Sequence, residues 1–139
     1  MVAEPMINYV AVVVAAISQM VIGSFWYGPV FGKTWMQLSG FTKKSMEEAK
    51  KKGMTQLYVF AFIGSLVMSF VLAHFVDYME VTTVVGAAQL AFWLWLGFIT
   101  TVMLGSVLWE QKSWKLYAIG VVCQYLALFV MAIILTLWV

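Results

Sequence analysis

Charge is scarce in this chain: charged residues make up 10% of its 139 positions, against about 25% in soluble globular domains. The scarcity is uneven. No Asp, Glu, Lys or Arg falls in the central stretch of any of four long apolar runs. Proton- and ion-coupled transporters normally keep an ionisable group there, at roughly 3 kcal/mol or more, so a coupled pump of the four-helix small multidrug type is disfavoured. The lone cysteine, Cys123, cannot form an internal disulfide, and the lone histidine, His74, makes no metal site without further histidines or cysteines. An HExxH motif, a Ser/His/Asp or Cys/His arrangement, a haem-type histidine pair and a glycine-rich phosphate loop are all missing. The expectation is a non-enzyme with no catalytic residue, metal or cofactor. A net charge of +2, with no RNA- or DNA-binding module, argues against a nucleic-acid partner.

Hydrophobic residues, by contrast, fill 64% of the chain. The four apolar runs, at about 6–27, 55–78, 84–109 and 114–138, each reach the roughly 20 helical residues that cross a bilayer. Backbone in hydrocarbon must satisfy its own hydrogen bonds, which makes these runs helices. Barrel strands would alternate polar and apolar residues, and the runs do not. The sequence predicts an all-α integral membrane protein: a single domain, 1–139, with four transmembrane helices. The first run has no basic leader and no small-residue cleavage site, so it reads as a span rather than a cleaved signal.

Orientation follows from the lysines. Lys33, Lys43, Lys44, Lys50, Lys51 and Lys52 lie between spans one and two, and Lys112 and Lys115 between spans three and four. The positive-inside rule then puts both basic loops in the cytoplasm and both termini outside. Trp26, Tyr27, Trp35, Trp109 and Trp114 would ring the inner interface, with Tyr9, Tyr78 and Trp138 near the outer one. Gly28-Pro29 is expected to end the first helix, since proline disfavours helix in the residue before it.

The segment 28–54 then predicts an amphipathic cytoplasmic helical hairpin. Phe31, Trp35 and Leu38 recur on one side, with Lys33 and Gln37 on another, as in a helix lying on a membrane surface. Gly40 closes it. A polar helix follows, capped by Ser45 with Glu48 or by Thr42, carrying Glu47–Lys51 and Glu48–Lys52 pairs and ending at Gly53. Trp26, Trp35, Lys50, Lys51 and Lys52 are the expected membrane-surface anchors. The lysine-rich helix reads as a solvated element near anionic lipid, with a partner-docking role as the alternative.

Trp26-Tyr27-Gly28-Pro29, Phe31-Gly32, Trp35, the lysine run ending Gly53-Met54, and Gly105-Ser106 with Leu108-Trp109-Glu110 resemble the signature of an uncharacterised prokaryotic membrane family, the domain of unknown function numbered 1761. The similarity covers nearly the whole chain. It implies a four-span protein of the cell (inner) membrane, and it implies no activity and no site residues.

Each span also carries a stripe of small or polar residues at i+3/i+4 spacing: Ala11, Ala15, Gln19 and Gly23; Ser65, Ser69 and Ala73; Gln89, Trp93, Gly97, Thr101 and Gly105; Tyr117, Gly120, Gln124, Ala127 and Met131. In lipid, helices associate by close backbone approach and interhelical hydrogen bonds, so the stripes should face the bundle interior or a neighbouring protomer. Gln19, Gln89, Trp93 and Gln124 are the candidate ligand-binding residues, Trp93 lying unusually deep for a tryptophan. His74, with Asp77 and Tyr78 nearby, is the candidate pH-sensitive group. Glu110 is expected to pair with Lys112 or Lys115 or to cap its loop. Gly23-Ser24-Phe25-Trp26 and Gly105-Ser106-Val107-Leu108-Trp109 suggest a faint parallel repeat of two hairpins. The functional expectation is a non-enzymatic protein that binds or passes a lipid, a hydrophobic small molecule or an uncharged solute. The alternative is a structural or accessory subunit. Its partners would be the lipid bilayer, and either a second copy of itself in a homo-oligomer or a larger membrane complex.

Overall fold

The computed structural model describes residues 7–40, 43–51 and 53–138. Helices are the only regular elements among them: α1 (Tyr9–Phe25), continued by a π-helical segment (Trp26–Val30), α2 (Gly32–Ser39), α3 (Lys43–Lys51), α4 (Thr55–Tyr78), α5 (Val84–Leu94), a second π segment (Trp95–Ile99), α6 (Thr100–Met103), α7 (Gly105–Leu108) and α8 (Trp114–Leu137). Four spans result, Tyr9–Val30, Thr55–Tyr78, Val84–Leu108 and Trp114–Leu137, all long and apolar enough to cross a membrane. The protein is a four-span helical membrane protein.

Local chemistry sets the span boundaries. Asn8, Thr83 and Ser113 cap three of the spans, each side-chain oxygen accepting a first-turn N–H at 3.2, 3.0 and 3.0 Å. The expectation that Gly28-Pro29 terminates span one is corrected. Pro29 has no N–H to give, and its ring crowds the preceding turn. The helix widens instead, Phe31 N–H reaching back five residues to the Trp26 carbonyl at 2.9 Å, and it runs on to Val30. Gly32 then begins α2, where a Cβ would sit 2.9 Å from the Tyr27 carbonyl oxygen. Phe31, just before α2, and Trp35 and Leu38 within it are half-buried, and Lys33 and Gln37 are exposed. Its apolar side packs on the end of span one, Phe31 against Trp26 (4.7 Å between ring centres) and Trp35 edge-on to Tyr27 (6.1 Å).

Gly40 and Gly53 both take the left-handed conformation, at φ +77° and +91°, and so end α2 and α3 as expected. The Ser45 cap is not found: α3 begins at Lys43, which puts Ser45 inside its first turn. The alternative cap, Thr42, and the Glu48–Lys52 pair lie outside the described residues. Glu47 and Lys51 are both exposed and form no ion pair with each other, in keeping with the small gain such pairs give in water. Lys112 Nζ does meet Glu110 Oε2, at 3.7 Å.

Span four is the centre of the bundle. Half of its most apolar stretch (50%) is buried, against 6% for span three. It packs against α1 and α5 and more lightly against α4, while α1 also packs against α4. The core is built from small residues where backbones approach (Ala11, Ala15, Ala87, Ala91, Ala132) and from Leu72, Leu128 and Met131 between them. Ser69, fully buried, donates to the Val12 carbonyl at 2.8 Å and ties α4 to α1.

Candidate functional site

Three of the four stripes turn inward. Ala11 and Ala15, Ser65, Ser69 and Ala73, and Gly120, Ala127 and Met131 are all buried. Span three turns its stripe outward, the side that the expectation leaves for a neighbouring protomer. Gln89, Trp93, Gly97 and Thr101 are exposed, Trp93 at 65%, and Ala87 and Ala91 face the core. Alanine permits the closer backbone approach, so the span presents that face to α8 and leaves the bulkier stripe outside. Trp93 therefore packs in no interior, and its indole N–H finds no hydrogen-bond partner among the described residues. With Gln89 it lines a shallow outward groove beside Tyr125.

Trp95, two residues on, is the tryptophan that enters the bundle. Its Nε1–H donates to the Val121 carbonyl at 2.7 Å. Trp26 does the same to Ile119 at 2.9 Å, and Tyr117 Oη donates to the Thr100 carbonyl at 2.8 Å. Trp26 thus ties the end of span one to α8. The two indoles bracket α8 from two neighbouring spans. Each opens a π segment and each is followed at the third position by glycine, Trp26-Tyr27-Gly28 and Trp95-Leu96-Gly97. This is a closer structural correspondence between spans one and three than the Gly-Ser match, which pairs Trp26 with Trp109, a residue 84% exposed. Trp35 is half-buried against Tyr27 and Lys51 is exposed; Lys52 and the side chain of Lys50 lie outside the described residues.

A polar opening in the lysine-bearing half lies between spans one and two. Away from the lysines, α1 and α4 are joined by the Ser69 hydrogen bond and by the stacked rings of Tyr9 and Phe70. Towards the lysines they part: no α1 residue beyond Ala16 is buried, and all residues from Thr55 to Gly64 except Phe62 are exposed. The gap is a cleft of about 670 Å³. Gln19, Ser24, Tyr27, Tyr58 and Ser65 are its polar lining, and Gly23, Gly28, Ala61 and Gly64 keep it open. A Cβ at Gly23, Gly28 or Gly64 would meet nothing within 4 Å. An apolar groove of about 630 Å³ adjoins it and shares Met20, Ser24 and Tyr58.

Gln19 sets the chemistry of this cleft. Its Nε2 donates weakly to the Met68 sulfur at 3.5 Å, and its Oε1 is buried with no partner among the described residues. The thioether only accepts, so the amide nitrogen turns to it and the carbonyl oxygen is left without a donor. Ser24 is satisfied by the Met20 carbonyl at 2.9 Å. No charged residue lines the cleft or its neighbour. Of the ligand-binding candidates that the sequence offers, Gln19 is here, Gln89 and Trp93 are on the outward face of span three, and Gln124 is half-buried on α8 and does not line the cleft. Tyr27 and Tyr58 join Gln19, though nothing in the sequence pattern assigns them to a site. The one hint is that both are tyrosines one or two turns inside a span end. His74 lies at the opposite end, its Nδ1–H on the Phe70 carbonyl at 2.8 Å and its ring edge-on to Phe70 and Tyr78. No group of three or more His, Cys, Asp or Glu stands together among the described residues.

Fold and cleft together define a class: a helical membrane protein of four spans with a laterally open, uncharged polar cleft. Within that class, the chain belongs to the family described as protein of unknown function DUF1761, whose sequence model matches residues 10–136. Comparison with curated proteins and with solved structures yields no match.

Proposed function

We propose that this is a non-enzymatic protein of the cell membrane that holds a lipid, a hydrophobic small molecule or an uncharged solute in the cleft between spans one and two. The observation that carries the reading is the buried, unpartnered Oε1 of Gln19. A buried acceptor without a donor costs about 1–3 kcal/mol, and a ligand hydroxyl or N–H supplied from the membrane would recover that. The uncharged lining suits a neutral group at that depth, and the adjoining apolar groove suits a hydrocarbon tail. With the lysines facing the cytoplasm, the cleft would open to the inner leaflet and both termini would lie outside.

Native mass spectrometry of the gently extracted full chain tests this. Wild type should carry a defined small-molecule mass. Gln19→Leu, which removes the acceptor, and Gly64→Leu, which fills the open space, should each lower its occupancy about fivefold without loss of folded protein. Unchanged occupancy in both variants would remove the cleft as the site.

A second reading, a docking role, is favoured by the outward face of span three. Gln89 and Trp93 offer an acceptor and a donor one turn apart, and Gly97 leaves room for close approach. A face with both groups is self-complementary about a two-fold axis, which suits a second copy of this chain. A different polypeptide held on that face would instead favour the accessory-subunit role.

A further inference from the structure

Positive charge is confined to one end of the molecule, where Glu47, Glu48 and Glu110 accompany it. Every lysine falls in the two loops at one end, and Asp77 and Glu80 stand at the other, where α4 closes. Their position runs against electrostatics. The C-terminus of a helix carries the negative end of its macrodipole and favours cations, yet α4 ends with two carboxylates and no basic residue in its last turn. Neither forms an ion pair among the described residues. His74, one turn earlier, directs its Nδ1–H to the Phe70 carbonyl.

Both carboxylates line a groove of about 540 Å³, with Asn8, Thr82, Thr136 and Trp138 as its other polar or aromatic walls. Asn8 is committed: its Oδ1 caps α1 and its Nδ2 donates to the Trp138 carbonyl at 3.4 Å. Thr136 is not. It is only 3% exposed, and its hydroxyl has no partner among the described residues. A threonine inside a helix ordinarily bonds the carbonyl one turn back, as Thr100 and Thr101 do here at 2.7 Å. The groove thus gathers two carboxylates and a hydroxyl that are unpaired among the described residues, and the rest of its wall is aliphatic apart from Asn8, Thr82 and Trp138.

We propose that this groove is a binding site for a small organic ammonium ion. The carboxylates and the helix end supply negative potential, and the hydroxyl accepts an ammonium N–H. The aliphatic walls select an organic cation over a bare metal ion, which takes an all-oxygen shell of about six ligands. This site is separate from the cleft between spans one and two, and its test does not depend on that reading.

The test is titration calorimetry on the full chain in zwitterionic nanodiscs at low salt, with n-butylammonium as probe and 1-butanol as its neutral counterpart. Wild type should prefer butylammonium at least about tenfold, the scale of one charge-assisted hydrogen bond. The double variant Asp77→Asn/Glu80→Gln should lose that preference, and Thr136→Val should weaken it by a few fold. Removing two carboxylates from a helix C-terminus relieves repulsion, so the ligand-free double variant should melt at or above the wild-type temperature. Lost binding with retained stability separates recognition from misfolding. The proposal is overturned if butylammonium binds no better than 1-butanol, if the double variant keeps the preference, or if calcium displaces butylammonium at lower concentration.

Discussion

Trp93 and Trp95 are two positions apart on one helix and have opposite fates. Trp95 donates to a carbonyl of α8, and Trp93 is 65% exposed. The Val121 carbonyl also serves its own helix, so it is not orphaned when the indole leaves. The loss is then one interhelical hydrogen bond, about 0.6–1.7 kcal/mol in a membrane, plus some packing. Trp95→Phe should therefore destabilise the protein by about 1–2 kcal/mol, and Trp93→Phe by less than about 0.5 kcal/mol. Denaturant unfolding in mixed micelles measures both. A larger cost at Trp93 would mean that the outward face of span three is covered. Helical periodicity puts Trp93 in a stripe with Gln89 and Gly97, and that stripe exists. Periodicity does not say which of two stripes faces inward, and the alanines at 87 and 91 decide that by how closely they let α8 approach.

Among the elements, α4 shows how far local rules reach. Its limits, Thr55 and Tyr78, coincide with the apolar run. Its exit is a Schellman turn, with Val81 N–H on the Val76 carbonyl and Glu80 N–H on that of Asp77, at 3.0 and 3.1 Å. The left-handed residue of that turn is Glu80, at φ +53°, where glycine is usual. A left-handed conformation costs a side-chain-bearing residue about 1–2 kcal/mol, and glycine returns about 0.5–1 kcal/mol of that as unfolded-state entropy. Glu80→Gly should raise stability by about 0.5–1 kcal/mol in the same unfolding assay, while weakening ammonium binding. No gain in stability would mean that the carboxylate is already compensated in the free protein. The splay of α4 from α1 is not legible in its sequence, because Thr55 to Gly64 are as apolar as the packed half. Gln19 can be singled out as a buried amide. Its neighbours Tyr27 and Tyr58 cannot, since they meet only through that splay.

For the bundle as a whole, four spans follow from hydropathy and length. Orientation in the membrane rests on the lysines. With a Cys123→Ala background, a membrane-impermeant thiol reagent applied to intact cells should label Thr82→Cys and leave Gln111→Cys unlabelled. The reverse pattern would invert the molecule and move the cleft to the other leaflet. The order of packing, with span four at the centre and span three at the edge, needs the structure, because all four runs have similar composition.

The two π segments bear on how this chain can vary. A π turn is an α-helix carrying one surplus residue, held there by proline in span one and surrounding the Trp95 anchor in span three. Deleting the surplus residue from the second segment would leave a regular helix of nearly the same length, with the stretch from Thr100 to Leu108 still turned the same way relative to Ala87 and Ala91. A deletion in the regular helix between Val84 and Leu94 has no surplus to absorb it. It would rotate everything beyond by about 100° and take the Thr100 carbonyl away from Tyr117. The π segment is thus the place where span three can lose a residue and keep its neighbours.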